Sequence, residues 1–454
     1  MTTPALTMEP LQEIYRLHQQ ALPQQALQLA LQQLEKGVYS PTLLNMTAVC
    51  SLELGLSQQA ESLWQTTLQL YPDFTDALAN LGFLYQEQGR WPEAEQAYRT
   101  ALQRQPAQPQ LHGNLATLLL EWQRFPEAEA HLHTALQLEP QQPTHWYNLG
   151  NLAAEQERFA EAETYYRQAL QLQPDHPDAA WNYSLFLLQA GRFQEGWPLY
   201  ESRYHPQKKE RVLELPQLPF PFWQGENLHG RSLLIIGEQG FGDEIQFSRF
   251  LPLLKQLHPA HLTLACKEPL LPLLQTVAGV DQLLPLQALA KAPRHDYWTF
   301  LLSLPGQLKI TLETIPTNLP YLHPLPQSLQ RWQPHLQDPR MKIGLLWQGS
   351  PAHRNDRHRS IPHIQLLQPL WNAQPNCAWF SLQSGEAVKQ LRDLPPTQPL
   401  LSLGEQIENF ADSAAIVRQL DLVITVDTAM AHLCGALATP CWVLLPRRGT
   451  DWRC

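Results

Sequence analysis

Three short segments in the second half of the chain carry the residues that could do chemistry, two of them with groups suited to anion binding. The first is GEQGFGDE, from Gly237 to Glu244, directly after the apolar run SLLII at 232–236. Glycines at Gly237, Gly240 and Gly242 let a backbone turn tightly after a strand and approach a ligand closely. Asp243 then stands at a helix start at the mouth of a cleft, with a helix N-cap as the plainer alternative. The spacing is not GxGxxG, so no dinucleotide site is read here. The second segment is Gln348, Gly349 and Ser350, followed by HRNDRHRS from His353 to Ser360. Small residues ahead of Arg354, Arg357 and Arg359 suit a diphosphate, which guanidinium groups hold through paired hydrogen bonds. A solvated charged loop is the plainer alternative. The third segment runs from Asp427 and Thr428 to His432. A strand ends at Asp427 and a helix starts at Thr428, which makes an anion site from unsatisfied N–H groups and the positive helix end. His432 lies one turn along on the face of Thr428; its alternative is a helix histidine satisfied within the fold.

The elements that must hold these segments alternate strand with helix. After SLLII come HLTLAC at 261–266, a helix from about 268 to 277, and DYWTFLLSL near 296–304. A second set starts with KIGLLW at Lys342. CAWFSL at 377–382, a helix near 409–420, DLVITVD at 421–427, a helix over 428–438 and CWVLL at 441–445 follow. This alternation predicts parallel sheets with right-handed crossovers. Two such sets, joined by a proline-rich stretch at 316–340, predict two Rossmann-like lobes, 231–335 and 336–454, with ligands beyond the carboxyl ends of the strands. A stretch at 206–230 reads as a linker that packs, since Phe220, Phe222 and Trp223 are too apolar for a free tether.

Ahead of that linker the grammar differs. Pro72, Pro106, Pro140 and Pro174 fall 34 residues apart, and Ala26, Ala60, Ala94, Ala128 and Ala162 keep the same step. So do Asn80, Asn114, Asn148 and Asn182. This period resembles the tetratricopeptide repeat (TPR), with Leu81, Gly82, Tyr85, Ala94, Tyr98, Ala101 and Pro106 on consensus positions of one copy. Each unit is a helix pair that buries its apolar face only by stacking on its neighbours. About five or six units fit in 1–205, the first, poorly matched, reading as a cap. A net charge of −10 argues against a general nucleic-acid binder. The six cysteines show no CxxC spacing, so neither a disulfide framework nor a zinc site is signalled. No run approaches the length of a membrane span and no leader pattern opens the chain, so a cytoplasmic location is expected.

The C-terminal motifs, in their order, resemble the heptosyltransferases and their TPR-bearing relatives, which are GT-B glycosyltransferases. The resemblance covers roughly 231–453 and rests on GEQGFGDEIQFSRFLPLL, DYWTFLLSLP, GLLWQGSPAHRNDRHRSIP and the run from DLVITVDTAMAHL to WVLLP. Repeats followed by such a unit are also similar in arrangement to O-linked N-acetylglucosamine transferases. The resemblance implies an α-helical TPR solenoid followed by an α/β GT-B-like unit. It implies inverting, metal-independent sugar transfer from a nucleotide-diphosphate sugar, a co-substrate, with no other cofactor. Asp243 matches the family's general base, and Arg359 stands near its basic donor-phosphate residue, where lysine is common. Asp427, Thr428 and His432 match the donor motif, Asp427 toward the sugar and Thr428 toward the diphosphate; Gly349, Ser350 and Arg354 fall in the donor loop. The family usually continues with further helices after the DWR that here precedes Cys454, a departure that leaves two expectations, an abbreviated gene product or an incomplete C-terminal lobe. A protein or glycan acceptor, presented with the help of the repeats, is the implied partner. A reading of another class makes the repeats the working part, an interaction scaffold for a protein held in their concave face, with an inactive or sensory C-terminal region.

Overall fold

The structure, a computed structural model, describes residues 8–208, 215–353, 356–395 and 400–446. Arg354 and the DWRC run at 451–454 lie outside the described residues. The chain divides between Asn182 and Tyr183 into two compact units.

The first unit consists of paired helices that restart every 34 residues. First helices begin at Pro41, Thr75, Pro109 and Pro143, and second helices at Ser57, Trp91, Phe125 and Phe159. The second helices end at Leu70, Arg104, Leu138 and Leu172, each two residues before a periodic proline, whose ring cannot continue a helix. Ala26, Ala60, Ala94, Ala128 and Ala162 are fully buried, as side chains small enough for close helix crossings. A Cβ on Gly82 would lie 2.6 Å from the Tyr98 ring, and one on Gly150 would lie 2.7 Å from Tyr166. Each glycine is thus the socket for the tyrosine of its own repeat. Polar groups also recur: Asn80 Nδ2 donates to Asn45 Oδ1 at 2.8 Å, and Asn182 Nδ2 donates to Asn151 Oδ1 at 2.9 Å. Arg90–Glu61, Arg124–Glu95 and Arg158–Glu129 link successive second helices at 2.7–3.0 Å. These partly exposed pairs add little each, so packing carries the array.

The second unit contains two parallel sheets. The first has β1 (Ser232–Ile236), β2 (His261–Cys266), β3 (Gln282–Pro285) and β4 (Tyr297–Phe300) in the order β3-β2-β1-β4. The second has β5 (Met341–Leu346), β6 (Cys377–Ser381), β7 (Leu400–Ser402), β8 (Leu422–Val426) and β9 (Cys441–Leu444) in the order β7-β6-β5-β8-β9. All pairings are parallel. Strands such as β1 (SLLII) and β8 (LVITV) are buried on both faces, as their mostly apolar runs require. In each sheet the chain winds outward from its first strand and then returns to that strand's other side. The winding therefore reverses at β1/β4 and at β5/β8, the topological switch points of an open parallel sheet.

Two further features brace the first sheet. Trp223 N donates to Trp298 O at 2.7 Å and Trp298 N to Pro221 O at 3.0 Å, so the 221–223 stretch runs along β4 with Phe220 and Trp223 buried. Arg203, with no exposed surface, forms two bonds to the buried Glu238, Nε to Oε2 at 2.9 Å and Nη2 to Oε1 at 2.7 Å. Its remaining donors reach Ser303 Oγ at 2.7 Å and Glu201 Oε1 at 2.5 Å, and its guanidinium lies near the rings of Tyr200 and Tyr204. Burial pushes the Glu238 carboxyl up from its ordinary range, against the pull of Arg203.

Two stability outcomes follow. Gly150→Val drives methyl groups into the Tyr166 ring and should cost about 1–3 kcal/mol, the usual range of overpacking, read from urea unfolding; an unmoved midpoint would show that the helices part freely. Arg203→Met should cost about 3–5 kcal/mol by leaving Glu238 buried without its partner, with Arg203→Met/Glu238→Leu recovering part of the loss. Equal losses in the single and double variants would mean that the ion pair is not the source.

Candidate functional site

All three chemistry-bearing segments leave carboxyl ends of switch-point strands. GEQGFGDE follows β1, the 348–360 loop follows β5, and Asp427 follows β8. Sheet order sets the second and third side by side at the ends of the paired strands β5 and β8, and Gly242, in the helix after β1, packs on Ala429 and His432 in the helix after β8, although the segments lie nearly two hundred residues apart in the chain.

Within the first segment the glycines act by making room for other side chains. Gln239, not a glycine, takes the left-handed backbone, at φ 59°. A Cβ on Gly237 would sit 2.7 Å from the Glu244 carboxyl carbon. Glu244 is buried, where its Oε1 accepts Lys267 Nζ at 2.6 Å and its Oε2 accepts the Lys267 backbone N–H at 3.1 Å. Burial pushes this carboxyl up while Lys267 opposes the shift. The pair fastens the loop to the end of β2. A Cβ on Gly242 would fall 2.5 Å from His432 Cδ2 and 3.3 Å from Ala429 Cα. The close approach expected for a ligand is thus made, at these two glycines, by protein groups.

Asp243 is the third residue of the helix Phe241–Phe247, and Gly240 is the N-cap. This corrects the N-cap alternative: the Asp243 carboxylate reaches back, its Oδ2 accepting the Gly240 N–H at 2.7 Å. The half-buried carboxylate is thereby held at the carboxyl edge of the first sheet.

In the second segment, Ser360 and Asp356 close the loop. Gly349 N–H donates to Ser360 Oγ at 2.9 Å, and Ser360 Oγ donates to Asp356 Oδ1 at 2.7 Å. Arg359, mostly buried, lies 3.4 Å from the same Oδ1. A Cβ on Gly349 would be 2.7 Å from Arg359 Nη2, so the glycine leaves the guanidinium room against the backbone. Ser350 is exposed and its carbonyl accepts His353 N–H at 3.0 Å. Arg357 is exposed, with Nε at 3.0 Å from His358 Nε2. Partial burial, and then the Arg359 charge, push the His353 imidazole below its ordinary value, while Asp356, Asp427 and Asp243 pull it back. His353 therefore feels carboxylates from both other segments.

In the third segment, Thr428 is the N-cap of Ala429–Leu437, with Oγ1 accepting Met430 N–H at 3.3 Å and lying 3.2 Å from Thr425 Oγ1. Asp427 and His432 are half-buried, and His432 is the residue packed against Gly242. Phe241 also meets Phe410 with ring centroids 5.1 Å apart, closing the first segment onto the second sheet's side.

Some organising residues carry no sequence signal. Gln383 is buried at the end of β6, and its Oε1 accepts Trp347 N–H at 3.1 Å and Gln348 N–H at 2.9 Å. Its Nε2 donates to Gln348 O at 3.1 Å, so one amide fixes both faces of the chain leaving β5. His353 stood within the charged run, but only the fold sets it among Asp243 and Asp427. The residues brought together thus carry carboxylates, imidazoles, a guanidinium and a capped helix start, a set suited to binding an anionic ligand and moving a proton beside it. Among the described residues no group of three or more His, Cys, Asp or Glu is arranged to hold a metal ion, and no helix is long and apolar enough to cross a membrane.

Comparison with known proteins bears mainly on the first unit. Two tetratricopeptide-repeat family models match, one over residues 114–177 and 147–204 and another over 51–113. A curated relative, Protein FlbA of Caulobacter vibrioides, is 28% identical over 288 residues, 57% of this chain and 47% of FlbA. The chain thus spans about half the length of that relative. Among solved structures, a thermophilic TPR protein of Thermus thermophilus is 25% identical, covering 40% of this chain and 98% of its own, with a TM-score of 0.37. PilF of Pseudomonas aeruginosa is 20% identical, covering 43% and 86%, with a TM-score of 0.37. The helical array at the N-terminal side of this chain is a run of tetratricopeptide repeats.

Proposed function

We propose that the second unit is a glycosyltransferase that moves a sugar from a nucleotide-diphosphate donor to an acceptor, without a metal and with inversion. The observation that supports it is the gathering of Asp243, His353, Arg359, Asp427, Thr428 and His432 at the carboxyl ends of β1, β5 and β8. The GT-B-like reading also draws on the resemblance of their motifs. In this reading Asp243, held by its bond to Gly240, takes the proton from the acceptor hydroxyl as that oxygen attacks the sugar carbon. The departing diphosphate is met by Arg359, by Gly349 and Ser350, and by the helix start at Thr428. Arg354, outside the described residues, belongs to the same donor loop by sequence. Asp427 faces the donor sugar and His432 lines the wall against Gly242. The tetratricopeptide repeats bind a protein partner and present a protein or glycan acceptor, in a cytoplasmic location where nucleotide sugars are available.

A second reading, in which the repeats are a scaffold and the second unit only senses a nucleotide sugar, draws on the family match of the repeats alone. One series separates the two. Thermal stability of the purified chain is followed across nucleotide diphosphates and nucleotide sugars, and transfer is then assayed with the donor that shifts it. A ligand at 100 times its dissociation constant stabilises the folded state by about 2.7 kcal/mol. Thr428→Val and Arg359→Ala should weaken that shift. Asp243→Asn should keep the shift and lose about a hundredfold or more in rate, the usual share of a general base. Near-normal turnover by Asp243→Asn would overturn its role. A shift without turnover under any acceptor would favour the sensor, and no shift at all would sink the donor site.

A further inference from the structure

Imidazoles gather in one stretch of the repeats. Five of the chain's seventeen histidines lie between 112 and 176, whereas none lies between 41 and 104. Counted by the 34-residue period, four of them stand where neighbouring repeats pack without an imidazole. His112 is equivalent to Leu78 and Trp146, and His131 to Ala97 and Tyr165. His145 is equivalent to Ala77, Leu111 and Ala179, all buried, and His176 to Gln108 and Gln142. His112, His145 and His176 are themselves buried, His131 is half-buried and His133 is exposed.

The geometry around these rings suits the neutral form. His112 Nε2 lies 2.9 Å from the Pro106 carbonyl, which only accepts, so Nε2 carries the proton. His112 Nδ1, 2.9 Å from His131 Nδ1, is then the acceptor of that bond, and a second proton on His112 would set two N–H groups against each other. Arg99 and Glu127 are the other charged groups acting on His131, and they pair with each other at 3.0 Å. His145 finds no protein hydrogen-bond partner at either nitrogen, and a Cβ on Gly113 of the preceding repeat would lie 3.3 Å from its Cε1. The charged group acting on it is Glu139, whose Oε2 stands 3.9 Å from Nε2, beyond hydrogen-bonding reach, and accepts Gln110 Nε2 at 3.0 Å. His176 Nδ1 accepts the Ala179 N–H at 3.2 Å at the start of the helix Pro177–Gln189, a bond that a proton on Nδ1 would break. Asp175 and Asp178 are the charged groups acting on His176.

Burial pushes His131, His145 and His176 below the ordinary imidazole value of 6.5, against the pull of the carboxylates named. Below that pH the unfolded segment takes up protons that the folded repeats do not. The stability these rings contribute is therefore full above pH 6.5 and lost as pH falls.

We propose that the two repeats from Pro109 to His176 form an acid-opened joint, which loosens locally as pH falls through the imidazole range while the preceding, histidine-free repeats stay closed. A repeat array permits such local opening because each repeat is held only by its neighbours.

The test is hydrogen exchange of the full chain at pH 7.5 and at pH 5.5, corrected for intrinsic exchange rates and read by mass spectrometry. Segment 109–176 is compared with 57–104, which holds no histidine. Carboxylates, with ordinary values of about 4, stay charged across this window. On acidification, protection in 109–176 should fall about fivefold or more beyond the fall in 57–104. His145→Leu, which installs the leucine of the preceding repeat, should remove part of that difference. His112→Trp/His131→Tyr/His145→Leu should remove most of it, with helical content at pH 7.5 unchanged. Equal losses in the two segments of the wild type, or an undiminished difference in folded His145→Leu, would overturn the joint.

Discussion

The turn at the carboxyl end of β1 is anchored by the buried pair of Arg203 and Glu238. Taking two charges out of water is costly, and the cost is offset only where every donor and acceptor finds a partner. Here Arg203 meets Glu238 twice, Ser303 and Glu201, while Glu238 Oε1 also accepts Leu302 N–H at 3.3 Å. Glu238 is the second residue of the glycine turn. The pair therefore ties the turn after β1 to the chain leaving β4, across the switch point itself. Asp243 follows five residues later, and its position inherits that anchor.

The same logic recurs at the second sheet with an amide in place of an ion pair. Gln383, from the end of β6, satisfies the backbone leaving β5, so the arginine-bearing loop starts from a fixed point. Parallel sheets aim all strand ends the same way, and loops on one edge are neighbours whatever their separation in the chain. Buried polar side chains then decide how tightly each loop is held. The glycines do the complementary task of leaving space: Gly237 for Glu244, Gly242 for His432, Gly349 for Arg359.

In the repeats, stability is spread along the array. A glycine socket faces a tyrosine in two repeats, and a buried alanine lets helices cross closely in five. Because each repeat solves the same packing problem, a departure from the pattern stands out, and the imidazole pair at His112 and His131 is such a departure.

What the sequence determined by itself is the local grammar. The 34-residue step placed helix starts at Pro41, Thr75, Pro109 and Pro143, since proline and the apolar period are local signals. HLTLAC is a strand over the residues it spans, and the helix expected over 428–438 runs Ala429–Leu437, because burial on both faces and capping are written in adjacent residues. The helix expected over about 268–277 narrows to a turn at Glu268–Leu270 and a helix at Leu271–Leu274, with Thr276 and Val277 bonding back three residues in a tightened final turn. Tertiary structure alone decided that Gly242 meets His432, that Glu244 pairs with Lys267, that Arg203 serves Glu238, and that Gln383 holds the loop after β5. These partners lie between 23 and 190 residues apart with no period linking them. Sheet order, strand register and the packing of one sheet's helices on the other's set such contacts, and all depend on long-range pairings that no short window of sequence contains.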